Sequence, residues 1–141
     1  MEDEGPPPGP VIDVQSILVE PQEECPFDQE LRLVIQFSTD TPLMGYCWSV
    51  SYTVDTSKRR KIIDLGATPL ADYPPGYHAM DFQSPRIDLA GVPQDVLACT
   101  NGLLMAKLQG PAGEEAMTVT FVVQLQNKDG YLYRMIFNPM E

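Results

Sequence analysis

His78 is the one histidine of the chain, and with three cysteines, Cys25, Cys47 and Cys99, it makes up the imidazole and thiol repertoire from which zinc sites and cysteine or histidine catalysis are built. Zinc chemistry needs ligands gathered at short spacings such as Cys-x-x-Cys, and these cysteines stand far apart and form no such pair. Their odd number and wide spacing equally fail to suggest a disulfide framework, so they read as free thiols of a reducing compartment. His78 alternates with Met80 and Phe82 along one stripe, where a histidine is expected to pack and hydrogen-bond and not to act as a general base. Glu23-Glu24 and Glu114-Glu115 are paired carboxylates, but sequence neighbours splay apart and make a poor acid–base couple. No Gly-x-Ser-x-Gly elbow, phosphate-binding loop or dinucleotide fingerprint occurs. The expectation is a protein without catalysis, cofactor or metal.

The residues left with something to do are charged. The chain carries 20 acids against 9 bases, a formal charge of −11. That balance disfavours direct nucleic-acid binding, which requires a positive surface to displace counterions. Four of the nine bases nevertheless stand in succession as Lys58-Arg59-Arg60-Lys61. Such a block is either a surface for an acidic partner or a guard on an edge strand, since lysine there discourages sheet-to-sheet association.

The elements that must position these residues read as strands. Residues 1–10, acidic and proline-rich, are expected to form a flexible tail ahead of one domain over 11–141. Val11–Val19 is rich in branched residues. Leu31, Leu33, Ile35 and Phe37 alternate with polar positions, and so do Trp48, Val50, Tyr52 and Val54, at the period of a strand with one buried face. Further strands are expected near Arg60–Leu65, His78–Gln83, Leu103–Gln109, Met117–Gln126 and Tyr131–Phe137. Met117, Val119, Phe121, Val123 and Leu125 form one stripe, and Asn127-Lys128-Asp129-Gly130 reads as a hairpin turn. One helical turn is allowed over residues 91–97. Met80, Met105, Met117 and Met135 fall within strands and are expected to fill the core. About eight strands, turns at short intervals and no βαβ rhythm define an all-β, immunoglobulin-like sandwich with at most one short helix. Its expected core comprises Leu33, Ile35, Phe37, Trp48, Val50, Tyr52, Phe82, Val119, Phe121 and Val123. No apolar run approaches a membrane span of about 20 residues. The acidic start lacks the basic and apolar regions of a signal peptide, so an intracellular setting, cytoplasmic or nuclear and not secreted, is expected.

Placed on these strands, several motifs together resemble the anti-silencing-function histone chaperones. They are the opening strand followed by Pro26-Phe27, the alternating Leu31–Phe37, the run Trp48-Ser49-Val50-Ser51-Tyr52-Thr53-Val54, and Pro75-Gly76-Tyr77-His78 leading to Phe82-Gln83. The resemblance covers roughly residues 11–126 and implies a sandwich that carries histones H3 and H4. It also implies that the apolar stretch Leu103-Leu104-Met105-Ala106 supports a partner helix. Where the family is acidic, between the Trp-bearing strand and the next, this chain has Lys58–Lys61, which reverses the charge a histone would meet. The expectation that follows is a divergent, non-enzymatic binding module. It would act as an adaptor or scaffold subunit of an intracellular assembly, a cytoskeletal or ciliary one included, with partner sites at Lys58–Lys61 and Leu103–Ala106. A genuine histone H3–H4 chaperone and a carrier of a small ligand or lipid tail are the alternatives.

Overall fold

The computed structural model describes residues 11–55, 60–84 and 102–140. The expected tail over residues 1–10, the helical turn over 91–97, Cys99, and Lys58 and Arg59 lie outside the described residues. Ten strands build two antiparallel sheets: β1 (Ile12–Glu20), β2 (Cys25–Pro26), β3 (Leu31–Thr39), β4 (Leu43–Asp55), β5 (Arg60–Ala67), β6 (Ala71–Tyr73), β7 (Gly76–Ser84), β8 (Gly102–Gln109), β9 (Glu115–Lys128) and β10 (Tyr131–Phe137). No helix occurs among the described residues. The smaller sheet has the order β1-β3-β7, and the larger β2-β10-β9-β8-β4-β5, with β6 paired to the first residues of β4. The fold is an all-β sandwich.

The alternation seen in the sequence is what the two sheets bury. Leu31, Leu33, Ile35 and Phe37 of β3 face Trp48, Val50 and Tyr52 of β4 and Leu104, Ala106 and Leu108 of β8, all of them buried. Phe37 meets Trp48 edge-on at 5.4 Å between ring centroids, and Phe27 meets Tyr52 edge-on at 5.1 Å. All ten residues named above as core are buried. Of the four strand methionines only Met80 is fully buried; Met117 packs against the core edge. Met105 and Met135 are half-buried at positions that alternate with the buried Leu104, Ala106, Arg134 and Ile136. They therefore sit on the outer face of the large sheet, which corrects their reading as core fillers.

Two short strands, β2 and β6, are too brief to show a period of two. Both are fixed by pairing: Cys25 and Pro26 with Arg134 and Tyr133, and Ala71 and Tyr73 with Tyr46 and Leu43. The β9–β10 hairpin closes as its sequence suggests. Asp129 and Gly130 take φ of 54° and 84°, and the Asn127 side-chain oxygen accepts from the Gly130 N–H. Two positive φ values in succession match the twist of the flanking strands.

Candidate functional site

The register of the large sheet assembles a surface that no single strand carries. Ile62 of β5 lies opposite Thr53 of β4, Thr53 opposite Leu103 of β8, Leu103 opposite Val122 of β9, and Val122 opposite Phe137 of β10. Because side chains directly opposite one another share a face, these five form one row across five strands on the outer side of the sheet. Ile62, Leu103, Val122 and Phe137 are 56%, 37%, 50% and 46% exposed. Four strand spacings of about 4.8 Å make the row about 19 Å long. The parallel row below it is Asp64, Ser51, Met105 and Thr120, mostly polar. The exposed apolar residues thus run across the sheet with a polar step at Thr53, which is 5% exposed. Met105 is the apolar neighbour in the lower row, and Met135, opposite Gln124, lies on the other side.

The structure divides the expected partner segment Leu103–Ala106. Leu103 and Met105 face outward, whereas Leu104 and Ala106 are fully buried in the core. β8 is paired on both sides, with β4 and β9, so it has no free edge to accept an added strand. A partner reaches this segment only from above, through side chains. Ile62, Val122 and Phe137, not singled out in the sequence, join Leu103 through register alone; each sits at an outward position of its own strand, which was the only local signal.

The basic cluster enters the described structure at Arg60 and Lys61, the first residues of β5, opposite Asp55 and Val54. β5 is the edge strand of its sheet among the described residues. Lys61 directly precedes Ile62, so the described part of the cluster, Arg60 and Lys61, opens the strand that carries one end of the apolar row.

His78 belongs to packing. Its ring lies edge-on to Tyr73 at 5.2 Å and beside Phe37 at 5.8 Å, and Nε2 is 2.6 Å from the carbonyl oxygen of Pro74. Cys25 and Cys47 are free thiols. Burial pushes the Cys25 thiol above its usual range, against the opposing pull of the Arg134 guanidinium across the β2–β10 pair. Among the described residues no three His, Cys, Asp or Glu side chains gather as metal ligands. No helix among them is long and apolar enough to cross a membrane.

Arg134 is the one arginine buried to 2% exposure among the described residues, and the sequence did not mark it. Its guanidinium donates to the carbonyls of Phe27 at 2.5 Å and Glu30 at 3.1 Å, pinning the turn between β2 and β3 to β10. Burial pulls its pKa down, and the same burial carries the Tyr52 phenol well above its ordinary value. Arg134 Nε, Tyr52 Oη and Trp48 Nε1 are buried without a hydrogen-bond partner among the described residues. No protein-family model matches the chain, and no curated protein matches it in sequence.

Proposed function

We propose that this protein is a non-enzymatic binding module, an adaptor or scaffold subunit that receives an amphipathic helix of a partner across the outer face of its large sheet. The observation that carries the reading is the row Ile62–Thr53–Leu103–Val122–Phe137, apolar at four of its five positions. Its length of about 19 Å matches about 13 helical residues at 1.5 Å each. The helix pitch of about 5.4 Å also runs close to the strand spacing of about 4.8 Å, so successive turns meet successive strands. A stacked sheet would need several adjacent apolar rows, and Ser51, Thr120 and Asp64 deny it that breadth. The basic cluster at the Ile62 end suits an acidic residue or the negative C-terminal end of such a helix. It opposes the strongly basic surface of a histone.

The second reading, a genuine histone H3–H4 chaperone, rests on the motif resemblance and the same apolar face. The lipid-tail reading draws no support from the interior: the void ringed by Leu31, Tyr52, Leu104 and Ile136 measures about 10 Å³. Proximity labelling in cells with wild type and with the Leu103→Asp/Val122→Asp double variant tests the module. The expected result is a defined partner set that the variant loses while it stays folded by circular dichroism; an unchanged set refutes the row as the site. Titration of recombinant H3–H4 separates the two readings. Weak binding that strengthens when Lys58, Arg59, Arg60 and Lys61 are changed to Glu favours the adaptor. Tight wild-type binding unaffected by that change favours the chaperone.

A further inference from the structure

Among the described residues the smaller sheet is bordered by β1 and β7 and the larger by β5 and by β2, a two-residue strand on β10, with the three-residue β6 beside β4. Of these borders, β1, β5 and β10 are each guarded against strand addition. β1 carries a bulge between Val14 and Ser16, and its Ile17 carbonyl accepts from the Asn138 side chain. β5 opens on Arg60 and Lys61 and is broken by a bulge opposite Val50 and Ser51. β10 is covered at its centre by β2. Bulges, basic residues and covering segments are the devices by which sheets keep foreign strands away.

Among the described residues β7 has none of them. It pairs with β3 in unbroken register from Gly76 to Ser84, without bulge, proline or lysine, and no described residue pairs with its other side. Tyr77 stands 80% exposed at its start. At its far end Gln83 and Ser84 form one wall of an open groove of about 810 Å³, whose other walls include Glu20, Glu23, Glu30 and Arg32. Arg32 is already committed: it donates to Glu20 at 3.1 Å and to both carboxylate oxygens of Asp81, the nearer at 2.7 Å. Glu23 and Glu30 are exposed and make no ion pair among the described residues.

We infer that β7 is an acceptor edge for an extended peptide segment of a partner. The segment adds antiparallel to Gly76–Ser84 and places basic residues in the groove beyond Ser84. Antiparallel pairing is the more stable ladder, and it brings the N-terminal end of the incoming segment to the Ser84 end of β7. The basic residues therefore precede the strand-forming ones in the partner. Backbone hydrogen bonds supply affinity without regard to sequence, while the surplus carboxylates at Glu23 and Glu30 supply selection for positive charge. This surface lies on the smaller sheet, apart from the row on the large one, and so provides the second contact that an adaptor requires.

The probe is a fluorescein-labelled peptide, Lys-Arg-Lys-Thr-Val-Thr-Val-Thr-Val, titrated into the full chain by anisotropy with backbone amide resonances recorded in parallel. Saturable binding with shifts centred on residues 76–84 is expected. Two versions N-methylated at alternate strand residues, in opposite phase, read out the ladder. One phase removes the bonding N–H groups and weakens binding by about tenfold or more, and the other leaves it nearly unchanged. Moving the basic block to the C-terminal end weakens binding, and Glu23→Lys with Glu30→Lys weakens it by about fivefold. Absence of saturable binding, equal binding by both N-methylated phases, or shifts confined to β1, β5 or β10 would overturn the assignment. None of these outcomes depends on the helix-binding row.

Discussion

Trp48 sets two large terms against each other, and the outcome is measurable. Its indole is fully buried between the sheets and packs edge-on against Phe37, so Trp48→Ala removes a central core side chain. Such truncations cost about 3–5 kcal/mol, a large share of the stability of about 5–15 kcal/mol of an ordinary domain. Trp48→Phe is a different perturbation. It forfeits about 40–50 Å² of buried apolar surface, or about 1 kcal/mol. A partly collapsed cavity adds about another 1 kcal/mol. Against this, Nε1 is buried without a partner among the described residues. An orphaned donor costs about 1–3 kcal/mol, and phenylalanine removes it. The two terms cancel to within about 1 kcal/mol, leaving the Phe variant far closer to wild type than the Ala variant. Because the change deletes the only tryptophan, urea unfolding is followed by far-ultraviolet circular dichroism, with stability read from the midpoint at unchanged slope. If Trp48→Phe falls as far as Trp48→Ala, the indole N–H is satisfied in the folded protein and the reasoning fails.

Gly102 is expected to tolerate no side chain, because a Cβ there would lie 2.1 Å from Tyr52 Oη and 2.3 Å from the ring carbon that bears it. Gly102→Ala should cost about 1–3 kcal/mol as overpacking. In contrast, Thr118→Ala, at an exposed position of β9, should stay within about 0.5 kcal/mol in the same urea titration. The alkaline limb of stability should fall early. Cys25 and Tyr52 have folded pKa values raised by burial, so between the ordinary and the raised values the unfolded chain releases protons that the folded one retains. Stability contributed by their neutral forms is complete below about pH 8.5 and declines above it, more steeply beyond about pH 10. Cys25→Ala should flatten the first part of that decline in melting temperatures recorded from pH 7.5 to 11; an unchanged profile would show that the thiol is not the group responsible.

Alternation was enough to name the buried side of β3, β4 and β9, since a strand with one solvated face writes its burial directly into the sequence. Asp129-Gly130 likewise announced its turn, because few other pairs accept two positive φ values. What alternation leaves open is which strand lies beside which. The resemblance marked the apolar stretch Leu103–Ala106 as a partner surface. Its place between β4 and β9 instead sends Leu104 and Ala106 into the core and closes both edges. The row from Ile62 to Phe137 was illegible for the same reason: it consists of single outward residues from separate strands and exists only through register. Arg134 was missed because an arginine in Tyr131–Phe137 reads as an outward position, and its burial depends on two carbonyls more than 100 residues away. The acceptor edge at β7 is a property of the sheet order and leaves no mark on the residues of β7 except the absence of proline and lysine.

The ties between the early and late parts of the chain have a consequence for how the protein is made. Phe27 N–H bonds to the carbonyl of Leu132, Arg134 reaches back 107 residues to Phe27, and Asn138 reaches back 121 residues to Ile17. During vectorial synthesis the strands β1, β3 and β7 can associate well before residues 131–138 leave the ribosome, but their apolar inner face then has only part of its cover. The turn after β2 keeps its internal bond from the Gln29 N–H to the Pro26 carbonyl, but its tie to β10 waits for Arg134. Closing so long a loop late in translation is entropically slow. Until β10 arrives the nascent chain is a sandwich lacking β10 and the seat it provides for β2, and the β7 edge, unpaired among the described residues, stands open to the wrong strand.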